Sequence, residues 1–142
     1  GMLKAVQDPR DKFVMPQPNP EVPKIDFTPL QNALRRLQAS AEAYKKASAG
    51  KTVPSGTQKQ LDEILINTER TLTSANGLPR RGWFRHQLYA PGFYTGYGLK
   101  TLPGVREAIE QRDWKEAREQ INIVAATIDR FAAEIDRAAR LF

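Results

Sequence analysis

The stretch DWKEAREQINIVAATIDRFAAEIDRAARLF, Asp113 to Phe142, decides the fold. Trp114, Ala117, Ile121, Val124, Ile128, Phe131, Ile135 and Ala138 follow one another at spacings of 3, 4, 3, 4, 3, 4 and 3. That period puts them on one face of an α-helix. Asp113 and Glu116 stand where a capping box of the D-x-x-E type would start it. Run nearly to Phe142, the helix would be about 43 Å long, at about 1.5 Å per residue. Two helices of about 19 residues each are too short to cover it fully. Its stripe is either the internal core of a bundle or, in part, a surface that seeks a further partner such as a second copy of the chain.

Working outward, Pro103 predicts the start of a short helix from Gly104 to Gln111. Earlier, Thr28 reads as an N-cap, with Pro29 at the first helical position and Gln31 completing a capping box. Leu30, Leu34, Leu37, Ala41 and Tyr44 then repeat at 4, 3, 4 and 3, which predicts a first helix with those residues inward. Gly50, Pro54 and Gly56 break it. A second helix is predicted from about Thr57, with Leu61, Leu65, Thr68, Leu72 and Ala75 facing inward, and with Asn76-Gly77 as its stop. The fold class is therefore all-α: an up-and-down bundle of three main helices plus a short one.

Before Thr28 the chain is different in kind. Pro9, Pro16, Pro18, Pro20, Pro23 and Pro29 crowd the first 29 positions. Proline lacks the N–H donor and pushes its predecessor toward extended backbone, so residues 8–27 cannot hold a helix. Met15 to Pro23 reads as a polyproline-like strap or a tail. As a strap it would be pinned by Val14, Val22, Ile25 and Phe27. Gly1, ahead of Met2, reads as a purification-tag remnant. The chain thus divides into a Pro-rich extended segment, residues 1–27, and a helical domain, residues 28–142.

Composition removes several function classes. There is no Cys in 142 residues, which excludes a disulfide framework, a zinc ribbon and a thiol nucleophile. No apolar run approaches the ~20 residues that would span a bilayer, and no signal-peptide pattern opens the chain. With one His, a multi-His metal centre is impossible, and no carboxylates flank His86 at ligand spacing. Gly92-x-x-x-Gly96-x-Gly98 is not followed by Lys-Ser/Thr and opens no helix, so it is not a phosphate loop. No serine sits in a nucleophile-elbow pattern. The net charge of +6 invites nucleic acid. Against that, Arg106, Arg112, Lys115, Arg118, Arg130, Arg137 and Arg140 are interleaved with Glu107, Glu110, Glu116, Glu119, Asp129, Glu134 and Asp136, which reads as a solvated face and not a basic stripe.

What no plain bundle explains is the stretch of 27 residues from Gly77 to Pro103, which has no helical period. Such loops are uncommon in compact domains and are usually functional or disordered. Of twelve aromatic residues (two Trp, four Tyr, six Phe), six lie between Arg80 and Lys100: Trp83, Phe84, Tyr89, Phe93, Tyr94 and Tyr97. Disordered segments are poor in aromatics. With Arg80, Arg81, Arg85, His86 and Lys100 alongside, the loop reads as an ordered surface that presents rings and polar tips to a ligand pocket, a partner subunit or the bundle's own end.

Two strings in and after this loop, Gly77-Leu-Pro-Arg-Arg-Gly-Trp-Phe-Arg-His-Gln-Leu-Tyr-Ala-Pro91 and Leu102-Pro-Gly-Val-Arg-Glu-Ala-Ile109, resemble a known family. It is the transferrin-receptor-like dimerisation domain at the C-terminus of the glutamate carboxypeptidase II family, the N-acetylated-alpha-linked acidic dipeptidases, which are zinc peptidases of the M28 class. The resemblance runs from about Asp26 to the C-terminus. It implies that residues 28–142 are a non-catalytic dimerisation and substrate-pocket-lining domain, following a protease and a protease-associated domain in a metallocarboxypeptidase- or dipeptidase-like protein. Zinc would belong to that protease domain, with no cofactor in this chain. The implied partners are a second copy, the missing domains and a peptide substrate; neither nucleic acid nor a membrane segment is expected.

Carried over by position, Tyr97 matches the tyrosine of a loop Lys-Tyr pair that binds the substrate's terminal carboxylate, while Gly96 stands where that lysine would be. Tyr89, Tyr94 and Lys100 complete the pocket loop, Lys100 as a stand-in cation. Arg85 and His86 would brace it by hydrogen bonds to backbone carbonyls. Trp114, Ile121, Ile128, Phe131 and Ile135 would form the dimer or core seam. The family bundle also begins with an additional helix, of which residues 2–7 would be a remnant. Its members suggest a location outside the cytoplasm. The competing reading is a stand-alone helical adaptor or nucleic-acid-binding bundle.

Overall fold

The structure, a computed structural model, describes residues 18–142. Residues 1–17, to which the expected helix remnant at 2–7, Val14 and the first part of the expected strap belong, lie outside the described residues. From residue 18 to Phe27 the backbone is neither helix nor strand. Of the expected pins, Ile25 packs against the core, whereas Val22 and Phe27 are exposed.

Four helices follow: α1 (Thr28–Ser48), α2 (Ser55–Thr68), α3 (Pro103–Glu110) and α4 (Trp114–Ala139). The chain is mostly helical, as the periodicity predicts, and α4 is its hub. With 26 residues, α4 is about 39 Å long. Asp113 caps it, accepting the Glu116 N–H at 2.9 Å. Only that half of the capping box forms, because the Glu116 carboxylate is taken by Arg80.

Each of α1, α2 and α3 packs on α4, whereas the α1 and α2 backbones stay apart and α1 reaches the Leu61, Ile64 and Ala138 cluster through Tyr44. Arg36 opposite Asp129 and Tyr44 against Phe142 show α1 running parallel to α4. In contrast, α2 is antiparallel: Leu61 and Ile64 cluster with Ala138, and Thr68 and Leu72 lie beside Phe131.

The main core joins Leu30 and Ala33 of α1 to Val105 of α3 and to Ile121, Val124, Ala125 and Ile128 of α4. The inward face of α1 is thus rotated from the expected one. Ala33 and Ser40 are buried, while Leu34 is 50% exposed and Ala41 is exposed. Small side chains let the two backbones approach, so α1 turns its alanine and serine toward α4 and leaves Leu34 at the edge. The start of α1 also differs from expectation. Thr28 is already helical and makes no side-chain cap; its N–H donates to Asp26 Oδ1 at 2.9 Å. Hydrogen bonding by Thr28 is the main reason the Asp26 carboxyl sits below its ordinary value.

The α-helical part of α2 ends earlier than Ala75, at Thr68, and tightens into a 3-10 turn, Glu69–Leu72. Threonine hydroxyls explain this: Thr68 Oγ1 donates to Ile64 O, Thr71 Oγ1 to Thr68 O and Thr73 Oγ1 to Arg70 O. Such local bonds compete with a continuing helical ladder. Leu65, expected inside, is exposed.

The loop is not free of regular structure. It contains two short strands, β1 (Tyr89–Pro91) and β2 (Leu99–Thr101), paired antiparallel with Tyr89 opposite Thr101.

Candidate functional site

The loop is first folded back by its own backbone. Ser74 N–H donates to Arg85 O, Leu78 N–H to Phe84 O and Gln87 N–H to Leu72 O, all at 2.8–2.9 Å. Gly77 adopts φ +66°, and a Cβ there would lie 2.2 Å from Gly82 O. Only glycine can take that backbone at that closeness. Gly77 is therefore a turn residue inside the loop, not the stop of α2. At the far end, Leu102 N–H donates to Leu88 O at 2.7 Å and Gly92 N–H to Gly98 O at 2.8 Å. Leu102 itself sits at φ +47°, the strained left-handed region, just where the chain enters α3.

Beneath this backbone lies a buried ion pair. Arg81 and Glu107 are 3% and 2% exposed, and Arg81 Nη2 donates to both Glu107 oxygens at 2.6 and 2.8 Å. Arg81 Nη1 also donates to the Pro91 carbonyl, and Glu107 Oε1 accepts the Phe93 N–H at 2.8 Å. The guanidinium lies 5.4 Å from the Phe84 ring centroid and 5.7 Å from that of Phe93. One pair thereby ties the first turn, the end of β1 and the start of the tip to α3. Where α3 lies on α4, a Cβ on Gly104 would lie 2.3 Å from Gln120 Oε1, so a larger residue there would displace the Gln120 side chain.

Two further pairs hold the rim. Arg80 binds both Glu116 oxygens at 2.8 and 2.9 Å, which raises its pKa. Lys100 donates to Glu110, which also accepts Arg106 Nε at 3.1 Å. The hydrogen bond from Lys100 is the largest cause holding the Glu110 carboxyl below its usual range.

The expected pocket residues separate into two groups. Tyr97 is fully exposed and Tyr94 and Tyr89 are exposed, so rings stand at the tip. Gly96 has φ +66° with open space where a Cβ would be. Lys100, by contrast, is paired with Glu110 and nearly covered, so it is not presented at the tip as a stand-in cation.

The bracing residues act differently from expectation. His86 accepts, through Nδ1, the N–H groups of Leu88 (3.3 Å) and Tyr89 (3.4 Å), and so serves backbone donors instead of carbonyls. Among the described residues the Arg85 side chain makes no hydrogen bond; its carbonyl does the bracing, accepting Ser74 N–H and Gln87 Nε2. In the seam, Ile121 and Ile128 are buried in the main core, Trp114 is half-buried under Arg112, and Phe131 and Ile135 are half-buried. Phe131 floors an apolar cavity of about 330 Å³ between α1 and the loop base, walled by Leu34, Leu37, Leu72 and Leu88.

Sequence reasoning missed the organising pair, since the mixed charges of the C-terminal third put Glu107 on a solvated face. The signal that could have found it is its position: on the α3 wheel it falls on the same side as Gly104 and Ala108, which are buried. Among the described residues, no group of three or more His, Cys, Asp or Glu side chains could hold a metal ion, and His86 Nδ1 is already occupied. No helix among them is long and apolar enough to cross a membrane.

This arrangement falls inside a segment shared with known proteins. Residues 25–136 match the family model of the transferrin receptor-like dimerisation domain. An Arabidopsis thaliana protein named "Probable glutamate carboxypeptidase LAMP1" is 33% identical over 113 residues, covering 73% of this chain and 16% of its own length. A "Probable glutamate carboxypeptidase" of Arthroderma benhamiae is 33% identical over 102 residues, covering 70% and 14%. TRE2 of Saccharomyces cerevisiae, which carries the name of a zinc metalloprotease, is 34% identical over 77 residues, covering 49% and 10%. The chain thus spans about a sixth or less of the length of these relatives.

Proposed function

This chain belongs to the transferrin receptor-like dimerisation domain family, and from that premise we propose that it is the non-catalytic dimerisation and pocket-lining domain of a larger zinc peptidase-like protein. Residues 28–142 are that domain, an up-and-down helical bundle with its aromatic loop at one end. The observation that carries the reading is the loop itself: exposed Tyr89, Tyr94 and Tyr97 stand on a base tied to α3 by the Arg81–Glu107 pair, within the matched residues. A surface fixed from below and left open above is suited to meet a substrate or a partner. In this reading the substrate is a peptide with a free C-terminal end, which the carboxypeptidase names of the relatives support.

In this role Tyr97 donates its hydroxyl to the substrate carboxylate. Gly96 brings no charge, and Lys100 is engaged by Glu110, so the loop contributes no ammonium for an acidic side chain. Zinc and the steps that need it belong to the peptidase domain, a reading supported by the zinc metalloprotease name that one relative carries.

In the protein carrying its peptidase domains, Tyr97→Phe is expected to raise KM for peptide substrates with kcat little changed. An unchanged KM would remove the pocket role. Mass in solution of that same multidomain protein tests the other half: a dimer is expected, and a strict monomer at high concentration would overturn it.

A further inference from the structure

His86 is the single histidine of the chain, and its ring is built into the loop instead of being offered at its surface. Nδ1 faces two backbone N–H donors, those of Leu88 and Tyr89, so it must be the unprotonated nitrogen and the neutral ring carries its proton on Nε2. That Nε2 is buried with no hydrogen-bond partner among the described residues. The imidazole packs on the Tyr89 ring with centroids 4.0 Å apart, and the His86 backbone bridges Thr73. Tyr89 opens β1, which pairs with β2 and so frames the tip carrying Tyr94 and Tyr97. One neutral ring therefore fixes the entry to the hairpin.

A second proton cannot be added in place. On Nδ1 it would point at two N–H groups, and the buried Nε2–H has no acceptor to help spread the charge. Around the ring, Glu69 on the 3-10 turn is the charged group whose field reaches it, and the Tyr89 phenol on β1 is the neighbouring titratable one. Glu69 favours the imidazolium, but burial outweighs it and holds His86 below its ordinary value.

We propose that His86 is an acid-sensitive latch, whose protonation frees the Leu88 and Tyr89 amides and loosens the entry to the β1–β2 hairpin, while the Arg81–Glu107 pair still holds the end of β1 and the start of the tip. Its value as regulation rests on the reading of the loop as a partner-facing surface; the latch itself does not. The sign follows from linkage. With the folded value depressed, the contribution is complete above the ordinary histidine value of about 6.5 and is lost as pH falls through the folded value.

The test is NMR on the full chain: titration of the His86 ring, and hydrogen exchange at Leu88, Tyr89 and Thr101. The ring is expected to titrate below about 6.5. After correction for intrinsic rates, exchange at Leu88 and Tyr89 should be about tenfold faster near pH ~5 than near pH ~7.5, while Val124 in α4 stays protected. His86→Gln, which can still accept through its side-chain oxygen, should abolish the pH dependence. Titration at the ordinary value with pH-independent exchange in the wild-type chain would overturn the latch, even if the variant folds poorly. Should the latch open while Tyr97→Phe leaves KM untouched, the latch stands and the pocket reading falls.

Discussion

Where α1 lies along α4, Leu30, Ala33, Ile121, Val124, Ala125 and Ile128 close over one another with no charged group among them. At the base of the loop the same degree of burial is reached by Arg81 and Glu107, a full positive and a full negative charge. The first region is held by area removed from water, which is non-directional and tolerates rearrangement. The second is held by four hydrogen bonds to named atoms, from Arg81 to Glu107 (two) and Pro91 and from Phe93 to Glu107. Apolar contact alone selects no single angular position of one helix on another, whereas an ion pair with fixed acceptors does. The molecule thus puts its directional bonding where a loop has to keep one shape.

Removing one charge is the sharpest way to break this comparison. Glu107→Ala leaves the Arg81 guanidinium buried and unpaired, and should lower unfolding free energy by about 3–5 kcal/mol in a denaturant titration. A loss below about 1 kcal/mol would mean that the pair is no keystone. Replacing both partners, Arg81→Met with Glu107→Leu, should recover most of the stability while loosening the tip, since an apolar pair cannot hold Pro91 O and the Phe93 N–H.

On the apolar side, Ile121→Ala should cost about 3 kcal/mol, from lost transfer energy plus a cavity. Its signature differs: exchange rises across α4 as a whole, whereas Glu107→Ala raises it first at Phe93 and its neighbours. Identical exchange patterns for the two variants would erase the distinction. The smallest expected effect is at the cap. Asp113→Ala removes the acceptor for Glu116 N–H and should cost about 1 kcal/mol, read as a lower melting temperature with the loop amides still protected.

The stripe of α4 was legible because a 3.6-residue period sustained over about seven turns and opened by Asp113 fits a long helix and little else. The face of α1 was legible only approximately. Ala33 and Ser40 carry little hydropathy signal, yet close helix packing selects them for size. The early end of α2 escaped because threonine hydroxyls, not a glycine or proline, turn the chain. Strands of three residues, such as Tyr89–Pro91, are too short to show an alternation. Tyrosines crowding the loop announced an exposed surface, and Tyr89, Tyr94 and Tyr97 are exposed. The Arg81–Glu107 pair could not be read from either residue alone: the partners stand 26 positions apart, and each is of a type that normally stays in water.

The hub arrangement has a consequence for how the chain is made. The α1 and α2 backbones do not approach one another, and both pack on α4, which is synthesised after them. At about 5–20 residues per second, the ribosome delivers α1 several seconds before the helix that will cover it. Leu30, Leu61 and Ile64 spend that interval without their partners, so nascent chains stalled ahead of Trp114 should be the ones that chaperones hold longest.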